Sequence, residues 1–130
     1  MTSTEHLTAL GSRVDGNLSW EQLETFDAPE GVTSVEFVTH ELTAFCPVTH
    51  QPDLYTATIH YVPNGKCVES KTLKLYLNSF RDEGMFGEKI ADVLCEDLHR
   101  ALAPTYIRVT TVQQIRGGLQ MTSVSERGQS

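Results

Sequence analysis

The sequence predicts an α+β domain, an antiparallel sheet with helices on one face. Three observations carry that expectation. Segments rich in Val, Thr, Ile and aromatic residues come in a run, then a segment of helical period, then two more β-rich segments. The 130 residues suit one domain, and a chain of that length buries about two-thirds of the surface its unfolded form exposes. A hydrophobic fraction of 39% fits a globular chain rather than a disordered one. The uncovered face of such a sheet must be polar or buried by another subunit.

The elements follow in order. Residues 1–20 are polar and weakly patterned, and read as an N-terminal arm ordered by packing on another surface. Asp27-Ala28-Pro29-Glu30-Gly31 is a turn signal. A strand is expected from Val32 to about Phe45. Cys46-Pro47-Val48-Thr49-His50-Gln51-Pro52-Asp53 is then a loop, because its prolines break any regular element. Leu54 to Val62 reads as a strand, Pro63-Asn64-Gly65-Lys66 as a hairpin turn, and Cys67 to about Leu77 as the next strand.

Ser79-x-x-Asp82 resembles a helix-capping box. Phe86, Ile90, Val93, Leu94 and Leu98 then recur with helical period, and Pro104 closes the helix. Strands over Tyr106–Val112 and Gly118–Val124 complete the set, and the polar tail 125–130 is expected to fray. The organisation is an arm over 1–20, one domain over 21–124 and a short tail.

Ten Lys and Arg against seventeen Asp and Glu give a net charge of -7. That balance argues against nucleic-acid and anionic-membrane partners, while leaving room for a local basic site for one phosphorylated ligand. The cysteines, Cys46, Cys67 and Cys95, are odd in number and widely spaced, which argues against a disulfide framework. No signal peptide and no membrane-length apolar run is visible, so the cytoplasm is the expected location.

Four features could carry chemistry. Cys46 opens the loop that Asp53 closes, so a nucleophilic thiolate and a proton-donating carboxyl can converge on one ligand atom. The alternatives are a buried small thiol and a common Asp turn residue. In Glu69-Ser70-Lys71-Thr72-Leu73-Lys74-Leu75-Tyr76, strand alternation puts Glu69 and Lys71 on one face and Ser70 and Lys74 on the other. That suits a site shared with a neighbouring subunit, or a solvated edge strand. Arg116-Gly117-Gly118 combines a phosphate-gripping guanidinium with a close backbone approach, or is a simple turn. Glu88 follows Gly87 near a helix start, and with Gly84 the glycines imply a close approach or a late helix start.

Together these strings resemble the 7-cyano-7-deazaguanine reductases of queuosine biosynthesis, single-domain type. The resemblance rests on Phe45 to Asp53, Val68 to Tyr76, Ser79-Phe80-Arg81, Phe86-Gly87-Glu88 and Arg116-Gly117-Gly118, and spans roughly Val32 to Gly118. It implies a tunnelling fold, in which antiparallel sheets of several subunits close into a barrel. The assembly would be a homo-oligomer of stacked rings, with a decamer as one size to expect, and with sites between subunits. It implies that Cys46 adds to the nitrile of the small-molecule substrate, 7-cyano-7-deazaguanine, to form a thioimide, with Asp53 handling the proton. NADPH would supply two hydrides. Val68, Glu69, Ser70, Gly87 and Glu88 would bind substrate, and Lys71, Lys74 and Arg116 the NADPH phosphates. The chemistry needs no metal.

The chain departs from that family at two positions. Gly87 stands where the family has a histidine, and His50 where it commonly has glycine. The imidazole of His50 is therefore expected to fill part of the space at Gly87. Three other readings compete. One is a related tunnelling-fold enzyme that passes the thioimide to ammonia or water. Another is a zinc site from Cys46, His50, His60 and Cys67, and the last is a non-catalytic binding module. His6, His40, His60 and His99 read as ordinary surface or sheet residues, and Cys67 and Cys95 as core.

Overall fold

A computed structural model of the chain describes residues 19–129. Most of the expected N-terminal arm lies outside them. The described part opens with a short 3-10 turn at Trp20–Gln22, followed by β1 (Thr25–Asp27), β2 (Val35–Phe45), β3 (Pro52–Val62) and β4 (Lys66–Val68). Helix α1 (Ser70–Asn78), a 3-10 turn (Ser79–Asp82), helix α2 (Gly87–Leu102), β5 (Tyr106–Arg116) and β6 (Leu119–Gly128) complete it. β2, β3, β5 and β6 form one antiparallel sheet in the order β2-β3-β5-β6, and β1 pairs with β4 in a separate two-stranded ribbon. The α+β expectation holds, with both helices packed on the same face of the sheet.

β3 is one of the two interior strands, and its alternation organises the core. Asp53, Tyr55, Ala57, Ile59 and Tyr61 point inward and are buried, while the residues between them are more exposed. Ile107 and Val109 of β5 extend that layer. Helix α2 covers it with Ile90, Ala91, Leu94, Cys95, Leu98 and Leu102, spaced three and four apart. Burial of Cys67 and Cys95 matches their reading as core residues. The opposite face carries the row Val38, Thr58, Thr110 and Val124, with Glu36, His60, Arg108 and Glu126 beside it. Val38 and Val124 remain 52% and 55% exposed there.

Five local expectations are corrected. The segment after Val68 is helical, not a strand continuing to Leu77. Leu73, Tyr76 and Leu77 fall at i, i+3 and i+4 and bury one helical face. Glu69 caps the helix by accepting hydrogen bonds from Thr72 N at 2.8 Å and Lys71 N at 3.1 Å. The two-face reading of Glu69 to Tyr76 falls with the strand. Next, β4 pairs with β1 instead of β3, so the Asn64-Gly65 turn redirects the chain without joining a hairpin; Gly65 still takes the positive φ of 93°.

Ser79 starts only a 3-10 turn, and its hydroxyl donates to Tyr76 O at 2.6 Å. The long helix begins late, at Gly87, and Phe86 is its N-cap residue, 56% exposed rather than part of the apolar stripe. Finally, β6 runs on to Gly128, where residues of the expected frayed tail pair with β5, and Ser125 and Arg127 both bond Asp92 of α2 at 2.9 Å.

Candidate active site

One end of the sheet gathers five of the ten expected site residues, Cys46, Asp53, Gly87, Glu88 and Arg116. It is the end where β2 stops at Phe45, β3 starts at Pro52, β5 turns into β6 and α2 begins. The loop after β2 is closed on itself: Cys46 N donates to Gln51 O and His50 N donates to Cys46 O, both at 2.8 Å. That closure holds His50 at φ 61°, a left-handed conformation that glycine adopts without strain.

The loop presents Cys46 half-buried. The Thr49 hydroxyl, and the backbone N–H groups of Thr49 and Val48, hydrogen-bond the sulfur and hold its thiol below the ordinary cysteine range. Burial and the charge of Asp53 oppose them more weakly. A hydrogen-bonded thiolate at a loop mouth is a nucleophile in waiting. Thr49 was not singled out in the sequence, although a hydroxyl three residues after a loop cysteine is a signal that could have found it.

Asp53 lies on the inner face of β3, 5% exposed, and pairs across the ladder with Ala44. The Arg116 guanidinium forms an ion pair with its Oδ1. Arg116 reaches it because Gly117 and Gly118, at φ 57° and 83°, make the two-residue turn between β5 and β6. The turn reading of Arg-Gly-Gly therefore holds, and the guanidinium sits on the proposed proton donor.

Glu88 is in the first turn of α2 and exposed, while Gly87 is buried and its carbonyl accepts from Thr111 Oγ1 at 3.5 Å. Both glycine expectations are met, since the helix starts late and both glycines lie under close contacts. A Cβ on Gly84 would come within 2.6 Å of the Phe45 ring. A Cβ on Gly87 would come within 2.6 Å of the Met121 methyl and 3.0 Å of the Tyr55 ring. Tyr55 and Met121 thus occupy the space at Gly87. His50 instead lies against Phe45, with ring centroids 5.8 Å apart, which corrects the expectation that its imidazole fills that space.

The remaining expected residues lie elsewhere in the chain. Val68 N donates to the Tyr61 hydroxyl at 3.1 Å, and Tyr61 is eight residues along β3 from Asp53, roughly 26 Å of extended strand. Glu69, Ser70, Lys71 and Lys74 continue from there along α1. The carboxylate of Glu69 is engaged as the helix cap. Ser70 and Lys74 border a groove of about 220 Å³ between α1 and β2, floored by Phe37, Leu42 and Ala57. Lys71 and Lys74 stand one turn apart and exposed on α1, and neither forms an ion pair with a described residue. Such a pair fits a phosphate ligand.

The zinc reading is not supported. Among the described residues no three His, Cys, Asp or Glu side chains are grouped to hold a metal. Cys67 is buried on β4, and His60, on the outer sheet face, has its Nδ1 3.7 Å from Glu36 Oε1.

A thiol and a buried carboxyl thus stand together at one end of the antiparallel sheet, on an α+β chain of the tunnelling fold. The comparisons with known proteins show the family. The family profile described as QueF-like protein matches residues 52–130. A relative from Alkalilimnicola ehrlichii, named NADPH-dependent 7-cyano-7-deazaguanine reductase, is 46% identical over 82% of this chain and 84% of its own length. Relatives of the same name from Nitrosospira multiformis and Bacteroides fragilis are 43% and 41% identical over 92% and 95% of this chain, covering 84% and 85% of their own. The chain belongs to this reductase family. The crystal structure of the archaeosine synthase QueF-Like in the apo form shares the fold, with a TM-score of 0.72 at 24% identity over 78% of this chain and 99% of that one.

Proposed function

We propose that this chain reduces the nitrile of 7-cyano-7-deazaguanine to the aminomethyl group with NADPH, a step of queuosine biosynthesis for tRNA modification. The observation that carries the proposal is Cys46, a hydrogen-bonded thiol beside the buried Asp53, in a chain whose relatives bear that reductase name.

The Cys46 thiolate adds to the nitrile carbon, and the nitrile nitrogen takes up a proton, giving a thioimide. Asp53, on β3 just past the end of that loop, takes the Cys46 thiol proton as a carboxylate held by Arg116 and passes it to that nitrogen. When bound, NADPH supplies the two hydrides that complete the four-electron reduction. Lys71 and Lys74 are the side chains suited to its phosphates, since no Rossmann glycine fingerprint is present. Arg116 joins them only by leaving Asp53. Glu88 offers a carboxylate to the N–H donors of the base, and the chain at Val68, Glu69 and Ser70 offers backbone groups to the same ligand.

Val68 and Glu69 lie about the length of β3 from Asp53, too far to reach one ligand with it, so we propose that a second copy completes each site. The sheet supports this reading. Its edge strands, β2 and β6, are eleven and ten residues long, and an open edge of that length is a template for pairing with another copy. Pairing β6 of one copy with β2 of the next would extend the sheet toward a barrel. No described helix is long and apolar enough to cross a membrane, and the cysteines are unpaired, which supports action in the reducing cytoplasm.

The test mixes the protein with 7-cyano-7-deazaguanine and records thioimide absorbance, then adds NADPH and follows its oxidation. Adduct and oxidation are expected, and both vanish in Cys46→Ala. Adduct without oxidation would favour transfer of the thioimide to ammonia or water, and no adduct would overturn both readings.

A further inference from the structure

A buried tyrosine hydroxyl ordinarily finds a hydrogen-bond partner, because leaving it unmade is costly. Tyr55 breaks that rule. Its side chain is 2% exposed, and among the described residues its hydroxyl is a fully buried side-chain oxygen with no partner. Its position is not arbitrary. Tyr55 shares the inner face of β3 with Asp53, two residues away. Its ring edge and hydroxyl would lie 3.0 and 3.4 Å from a Cβ at Gly87, the residue before Glu88. Only a glycine leaves that side of the phenol clear of backbone substituents, and what fills it is the methyl end of Met121, a flexible side chain.

We propose that the Tyr55 hydroxyl donates a hydrogen bond to the bound deazaguanine, in the space beside Gly87 that the Met121 methyl occupies. The inference rests on the reductase reading of the site and adds a substrate-contacting donor to it. Electrostatics agree with a donor role. Burial first, then the charges of Asp53, Glu88 and Cys46, against a smaller opposing effect of Arg116, push the phenol up to about 12. It therefore keeps its proton at any working pH. The hydroxyl thus lies within reach of the charges of Asp53, Glu88, Cys46 and Arg116.

The proposal makes an unusual pairing of effects. In the free protein the hydroxyl bonds to no described residue, so its removal takes away an unsatisfied polar group; in the complex, its removal takes away a contact. Tyr55→Phe should therefore leave the thermal midpoint unchanged or raised, and leave the rate of Cys46 alkylation by iodoacetamide at the parental value. At the same time kcat/KM for 7-cyano-7-deazaguanine should fall about tenfold to a hundredfold, the range expected for one buried hydrogen bond. Gly87→Ala, which places a methyl against the phenol with Tyr55 intact, should raise KM in the same direction.

Parental kcat/KM in Tyr55→Phe, in a preparation whose parent is active, overturns this inference alone. A loss of activity accompanied by a lowered midpoint or slowed alkylation also overturns it, because the phenol would then be structural. A parent that neither forms adduct nor oxidises NADPH overturns the reductase reading, and this inference with it.

Discussion

Glu69 is expected to bind substrate by family resemblance, yet the structure shows it capping α1, and one set of variants separates the two roles. Its carboxylate accepts from Thr72 N and Lys71 N at 2.8 and 3.1 Å, satisfying two of the backbone donors that a helix start leaves without partners. The backbone at this junction is tied independently, by Glu69 N to Glu24 O at 2.8 Å and Glu24 N to Thr72 Oγ1 at 3.2 Å, so these contacts survive a side-chain change. Glu69→Ala should then cost about 1 kcal/mol, the ordinary loss of an N-cap. For a domain of this size that is a fall of roughly 3–6 °C in the thermal midpoint. Glu69→Asn supplies a preferred capping residue and should restore the midpoint to within about 1–2 °C of the parent. Circular dichroism at fixed protomer concentration measures both, since assembly would make the midpoint concentration-dependent. An unchanged midpoint in Glu69→Ala would refute the capping role. If Glu69→Asn keeps stability but loses turnover, the carboxylate serves the ligand as well.

Other predictions follow from single contacts. Thr49→Val removes the largest influence lowering the Cys46 thiol, so the midpoint of the pH profile for iodoacetamide alkylation should move up and alkylation at neutral pH should slow; an unmoved profile would show that the hydroxyl does not act on the sulfur. Burial raises the Asp97 carboxyl, partly offset by the Tyr76 hydroxyl and Arg100, so the folded state holds that proton longer than the unfolded one. Its stability contribution is then present below the ordinary Asp range and declines as pH rises through the raised value, so Asp97→Asn should be as stable as the parent or more so at pH 7, with the difference shrinking toward pH 4 in urea unfolding. Leu94, 0% exposed between α2 and the sheet, should cost about 2–5 kcal/mol as Leu94→Ala, and a smaller loss would mean the core closes around the cavity.

Much of the fold was legible because its signals are local. The alternation of Tyr55, Ala57, Ile59 and Tyr61 marks a half-buried strand whatever lies beside it, and the spacing of Ile90, Leu94 and Leu98 marks a helix. Segment 69–77 was misread because apolar residues at 73, 75 and 77 satisfy a strand period while 73, 76 and 77 satisfy a helical one. Glu is not a common N-cap residue, and the choice was settled by the junction with Glu24 and by the pairing of β4 with the distant β1.

The site divides the same way. The sequence by itself determined that Cys46 opens a short loop that brings the chain to Asp53 seven residues on, and it placed glycines where α2 starts, although β3 begins at Pro52 and takes Asp53 into the strand. Only the tertiary structure decided what those groups meet. Arg116 reaches Asp53 across 63 positions of sequence because the β5–β6 turn closes beside the start of β3. Tyr55 lies under Gly87 because α2 crosses that end of the sheet, and Val68 to Ser70 are carried away from Cys46 by the length of β3. Contacts between residues distant in sequence depend on how strands register and helices cross, and no periodicity within a segment records that.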